Sequence, residues 1–264
     1  MARTGASDQV FGQLLSAFEI AKQTPYLVAL DLAGLEDDST ALNNYGLHMA
    51  TLDVLHQEYS ATGVSPLHVT LHAGELTPAF VPSPAPKDHI RKAIDTGHAE
   101  RIGHGVDVLD EDGSNALLSD LSTRNILIEV CLSSNQQVLD VSGAAHPLAA
   151  YIAAGVPVAL ATDNQGVSRS SLAGEYRLAA MDQGLGYRQL KRMARDSLQH
   201  AFLPGDSLWA SFASATAVAA CTATNAWGIG DPPDATCQAF LDGSERAHAQ
   251  WELERRFRLF ESQQ

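Results

Sequence analysis

Five apolar runs of strand length, separated by stretches with helical spacing, constrain this chain more than any other feature. They are Y-L-V-A-L-D-L at 26–32, L-H-V-T-L-H at 67–72, a short segment at 101–103, N-I-L-I-E-V-C-L at 125–132 and V-P-V-A-L-A-T-D at 156–163. Their near-continuous apolarity is that of strands covered on both faces, as in parallel sheets. Phe11, Leu14, Leu15 and Phe18 recur at three and four, which predicts an amphipathic helix over 8–23 stopped by Thr24-Pro25. Helices are also predicted over 41–60, over 88–98, before residue 125, and over 146–155 with Gly155 as its stop. Alternating βα units imply a parallel sheet with right-handed crossovers. Beyond the fifth run only helices are predicted, including 178–184 and the charged W-E-L-E-R-R-F-R-L-F tail.

A closed (β/α)₈ barrel of the TIM type takes roughly 250 residues, so the length of 264 admits one. Five strands, however, would leave two open edges, which natural proteins avoid. The expected fold is therefore an incomplete TIM-type α/β barrel with about five of its eight βα units. The whole chain, 1–264, reads as one domain, with 222–264 as a helical extension.

Composition excludes several classes. A formal charge of -14, from 31 acidic and 17 basic residues without a Lys/Arg run, would repel a phosphate backbone, so nucleic acid is not an expected partner. No stretch of about eighteen apolar residues predicts a membrane span, and the N-terminus has no apolar export signal. A soluble chain, cytoplasmic as it stands, is expected, with the compartment of any longer parent, export included, left open. Cys131, Cys221 and Cys237 are odd in number and lack C-x-x-C spacing, so they predict neither a disulfide framework nor a thiolate zinc site. Neither a Rossmann fingerprint, nor a P-loop, nor H-E-x-x-H is present. V-P-S-P-A-P-K at 81–87 reads as a semi-rigid loop.

The ends of the five runs carry the chemistry. In order they read D-L-A-G-L-E (31–36), H-A-G-E (72–75), G-H-G (103–105), C-L-S-S-N (131–135) and T-D-N-Q-G-V (162–167). In a parallel sheet all five converge on one face, where α/β enzymes keep their active sites. Singly, each residue has an ordinary explanation. A lone His72 or His104 is a satisfied core or surface histidine, Asp163 a helix cap and Gly34 a turn glycine. Cys131 reads as buried, Ser133 and Ser134 as caps of the next helix, and His48, His56 and His98 as surface residues of helices. Five aligned sets outweigh those single readings.

In this order the motifs D-L-A-G-x-E, H-A-G-E, R-I-G-H-G, E-V-C-x-S-S-N and T-D resemble those of the adenosine deaminase family, zinc-dependent purine hydrolases on a (β/α)₈ barrel. The match runs from Tyr26 to Asp206; G-V-S-R-S-S-L-A-G-E-Y (166–176) and F-L-P-G-D-S-L-W (202–209) look closer to its longer deaminase-growth-factor branch. The resemblance implies that His72 and Asp163 are zinc ligands and that Glu75 protonates purine N1. It further implies that His104 orients or deprotonates the attacking water, that Asp163 also partners this water, and that Gly34 offers its backbone N–H to the purine.

Departures from the family limit the expectation. The family's other two zinc ligands form a His-x-His, and no two of the ten histidines here are so spaced. The expected chain is thus the C-terminal part of a deaminase, completed by a missing N-terminal segment or a subunit. Asn164 stands where the family has a second Asp facing purine N7, and Leu132 replaces a frequent proline. Three readings follow: hydrolysis of adenosine or a related nucleoside to inosine and ammonia, a catalytically inactive purine-binding or interaction protein, or a sibling acting on another aminopurine. With only Arg101 and Arg169 as nearby cations, a nucleoside is favoured over a nucleotide.

Overall fold

The computed structural model describes residues 1–61, 67–81, 87–222 and 232–264. Residues 82–86 of the proline-rich loop, and 223–231 of the expected extension, lie outside the described residues. The chain divides into two compact units, Met1–Met193 and Ala194–Gln264.

The first unit alternates as its periodicity requires: α1 (Ser7–Ala21), β1 (Ala29–Leu30), α2 (Ser39–Ala61), β2 (His68–Ala73), α3 (His89–Asp95), β3 (Arg101–His104), α4 (Ser114–Thr123) and β4 (Leu127–Val130). Then follow α5 (Leu132–Leu139), α6 (Leu148–Ala154), β5 (Val158–Leu160), α7 (Gln165–Ser168), α8 (Leu172–Met181) and α9 (Tyr187–Gln199), the last running across the unit boundary. The strands form one sheet in the order β1-β2-β3-β4-β5, with every pair parallel. This is the partial TIM-type barrel sheet expected from the alternation.

Burial follows the pattern of a sheet covered by helices. Val158, Ala159 and Leu160 of β5 are all buried, and Ile90 and Ile94 of α3 pack in the same core as Leu71, Ile102 and Ile128. On α1 the buried stripe is Val10, Leu14, Ala17 and Phe18, whereas Phe11 is 48% exposed. The buried face therefore keeps Leu14 and Phe18 of the predicted stripe and has Val10 and Ala17 in place of Phe11 and Leu15. Gly155 ends α6 in the left-handed conformation, as expected.

Some elements differ from expectation. β1 keeps two residues of the seven-residue run, and Tyr26 at its start is 92% exposed. Beyond β1 the sheet continues as a single parallel bridge from Ala2 to Ala33, with the Arg3 N–H donating to the Ala33 carbonyl at 2.9 Å. A segment this short carries no readable periodicity. Helix α3 stops at Asp95, which leaves His98 in a left-handed turn (φ 57°). His48 is buried rather than on the surface.

The second unit is not purely helical. β6 (Trp209–Ser211) and β7 (Thr216–Ala217) pair antiparallel, followed by α10 (Ala219–Thr222), α11 (Ala235–Asp242) and α12 (Glu245–Glu261). Leu208, Trp209, Leu241, Ala247 and Trp251 form its core. Cys221 and Cys237 are joined in a disulfide, contrary to the reading from cysteine spacing. The 16-residue separation gave no local signal, since the pairing depends on α10 packing against α11. Among the described residues no helix is long and apolar enough to cross a membrane.

Candidate metal centre and active site

The C-terminal ends of the strands bring three donors together. His72 on β2, His104 on β3 and Asp163 just past β5 place one ligand atom each within 4.8 Å of one another. Two of the three sit on strained backbone: His104 has φ 71° and Asp163 φ 52°, in the left-handed region that bulky residues rarely enter. Such outliers concentrate where surrounding structure holds a functional geometry.

Each donor is held by a partner. Asp31 Oδ2 lies 2.6 Å from His72 Nδ1, and Asp31 Oδ1 accepts the His72 backbone N–H at 3.0 Å. Burial opposes a charged His72, but the Asp31 carboxylate outweighs it and the imidazole pKa is raised. With Nδ1 engaged, Nε2 remains for a metal, the carboxylate–histidine arrangement common at zinc sites. Ser134 Oγ donates to Asp163 Oδ2 at 2.7 Å. His104 is 1% exposed, and burial together with the neighbouring His72 pushes its pKa down to about 4. Imidazole nitrogen and carboxylate oxygen, held by outer partners, form a donor set that suits zinc.

Glu75 follows β2 in the H-A-G-E turn, its Oε1 3.7 Å from His104 Nδ1. Burial raises its pKa to about 7; His72 works against this rise, and Glu36 and Asp163 add to it. The turn is fixed from behind by Glu36, which is 1% exposed and accepts the Gly74 N–H at 3.1 Å and the Glu75 N–H at 2.9 Å. Glu36 also meets His89 Nδ1 at 2.7 Å and Arg3 Nη1 at 3.7 Å. Gly74 has φ 75°, and a Cβ there would stand 2.5 Å from Asp107 Oδ1. The glycine of H-A-G-E is therefore a requirement of the turn.

The sequence-predicted residues fall into a half-buried to buried cluster and two exposed positions beside strand ends. His72, His104 and Asp163 converge, with Glu75 beside His104. Gly34 is exposed in the turn after β1 (φ 108°), and Asn164 is exposed at the start of α7. Sequence reasoning passed over Arg3, which donates to the Leu32 and His72 carbonyls, and Glu36, although the latter was visible as the last residue of D-L-A-G-L-E. It read Ser134 as a helix cap and gave Asn135 no role, yet Asn135 Nδ2 lies 3.0 Å from His104 Nδ1. Cys131 is buried, as expected.

Histidine and carboxylate donors gathered at the C-terminal ends of parallel strands are the setting in which barrel enzymes place metal-assisted chemistry. Residues 10–210 match the family described as "Adenosine deaminase", and the chain belongs to the adenosine deaminase family. Adenosine deaminase of Escherichia coli is 36% identical over 140 residues, which cover 53% of this chain and 39% of that protein. Among solved structures, adenine deaminase from Arthrobacter aurescens superposes with a TM-score of 0.59 at 21% identity, covering 76% of this chain and 54% of the other. The N6-methyl-AMP deaminase from Arabidopsis thaliana gives 0.54 at 27%, with coverages of 76% and 52%. An amidohydrolase from Burkholderia ambifaria with bound zinc gives 0.55 at 16%, with 77% and 51%. The chain thus spans about half the length of these solved structures, and less of the bacterial deaminase.

Proposed function

We propose that this chain forms part of a metal-dependent site that hydrolyses adenosine, or a related 6-aminopurine nucleoside, to inosine and ammonia. The observation that carries the reading is the convergence of His72, His104 and Asp163 within 4.8 Å, next to a glutamate whose pKa is raised to about 7. His72 and Asp163 would hold the zinc, with donors from another segment or subunit completing its coordination. When bound, zinc makes water nucleophilic near neutral pH by lowering its pKa toward about 7.

The chain's own residues do the rest. Glu75 keeps a proton near neutral pH because it is buried, and gives that proton to purine N1, which makes C6 electrophilic. His104 orients the water that adds to C6, and Asp163 also orients it and takes up its proton. The C6–N bond then breaks as the proton taken up by Asp163 passes to the amino group, which leaves as ammonia, and the proton of the C6 hydroxyl returns to Glu75 as the carbonyl forms. The Gly34 N–H and the Asn164 amide hold the purine ring; Asn164 can donate to N7 without first being protonated, as an aspartate would have to be.

Arg101 is engaged by Glu129 at 2.6 Å, which leaves Arg169 as the cation near the end of β5 and favours a nucleoside. The Arabidopsis relative's N6-methyl-AMP supports the competing nucleotide reading. A chimera in which this chain replaces the corresponding part of the Escherichia coli enzyme separates them. Ammonia release is expected from adenosine, at most weakly from AMP and N6-methyl-AMP, and 7-deaza-adenosine should bind poorly. Preference for the monophosphates would contradict the nucleoside assignment. A folded chimera that binds purine without releasing ammonia would point to a binding protein without turnover.

A further inference from the structure

Behind His104 lies a hydrogen-bond chain that the proposed chemistry has not used. The Leu148 backbone N–H donates to His146 Nδ1 at 3.1 Å. His146 Nε2 stands 3.1 Å from Asn135 Oδ1, and Asn135 Nδ2 stands 3.0 Å from His104 Nδ1. Asn135, His146 and His104 are 0%, 2% and 1% exposed, so water does not offer alternative partners.

The chain has one possible direction. A backbone N–H can only donate, so His146 Nδ1 carries a lone pair and, in the neutral ring, its proton is on Nε2. Burial holds His146 neutral, pushing its pKa down to about 4. The Nε2–H donates to Asn135 Oδ1, which turns the amide NH₂ toward His104. His104 Nδ1 must then accept. Glu75 Oε1, at 3.7 Å from the same nitrogen, is too distant to compete.

We infer that Asn135 and His146 are positioning residues that fix His104 as the tautomer protonated on Nε2, so that it faces the site as a hydrogen-bond donor and not as a metal ligand. The role in turnover rests on the deaminase reading; the tautomer does not. Although His104 clusters with His72 and Asp163, it then supplies no lone pair to a metal, and this chain contributes two ligands instead of three. Its part is to orient an oxygen nucleophile through Nε2–H.

Long-range ¹H–¹⁵N correlation spectra of the metal-free, histidine-labelled chain at neutral pH read the tautomers directly, with no variant needed. His146 and His104 are both expected to carry the proton on Nε2 with a bare Nδ1. A His104 protonated on Nδ1, or on both nitrogens, overturns the inference. Asn135→Asp supplies an independent check, because a carboxylate accepts from both rings and draws the His104 proton to Nδ1. That frees Nε2 as a third donor, and cobalt(II) affinity is expected to tighten by about tenfold or more. A folded Asn135→Asp protein with unchanged His104 tautomer and cobalt affinity would also overturn it. Absence of turnover in the chimera would sink the deaminase reading and leave these spectra unaffected.

Discussion

At the scale of single residues, the site depends on groups placed one shell behind the ones that face a ligand. Gly74 illustrates this. Its left-handed φ of 75° lets the H-A-G-E turn present two successive N–H groups to the buried Glu36 carboxylate, while Asp107 fills the space where a side chain would go. Gly74→Ala forces a methyl group to within 2.5 Å of Asp107 Oδ1 at a strained φ. Stability is expected to fall by about 1–3 kcal/mol in a denaturant titration. An unchanged midpoint would show that the turn relaxes freely and that Glu36 does not fix Glu75. The motif histidines and Glu75 were legible because each follows an apolar run. Arg3 and Glu36 act from sites with no such flag, and the hydrogen bonds that define them span 69 and 39 residues of sequence.

At the scale of elements, strand positions were readable and their partners were not. The runs at 67–72 and 101–103 became β2 and β3 nearly as predicted; β2 alternates half-buried and buried positions, and β3 is buried after its first residue. Helix α5 shows what was missed. Ser133 and Ser134 looked like caps, but both lie inside the helix and reach outward: Ser134 to Asp163, and Ser133, through N–H and hydroxyl, to Glu175 of α8. Glu175 is fully buried and pins the start of α5, the element that also carries Asn135. Glu175→Ala leaves two polar groups of Ser133 without this partner and should cost roughly 1–3 kcal/mol. Hydrogen exchange should quicken at the start of α5 while β2 and β3 stay protected. Equal quickening throughout the first unit would show a global defect instead of a local clamp.

At the scale of the whole molecule, alternation predicted the parallel sheet, but not the second unit's hairpin or disulfide. Neither has a local pattern: the hairpin strands are three and two residues long, and the cysteines meet through packing. The chain's match to about half of each related solved structure makes the chimera the appropriate setting for catalysis. The central claim is that a metal held by His72 and Asp163 works with a proton carried by Glu75. Its most direct test is the rate of ammonia release from adenosine by the chimera with Glu75→Gln, measured beside its zinc content. Gln keeps shape and hydrogen bonding but has no transferable proton, so the rate is expected to fall by at least about a hundredfold with zinc unchanged. A comparable rate, or loss of zinc in step with activity, would contradict the role assigned to Glu75 and with it the proposed chemistry.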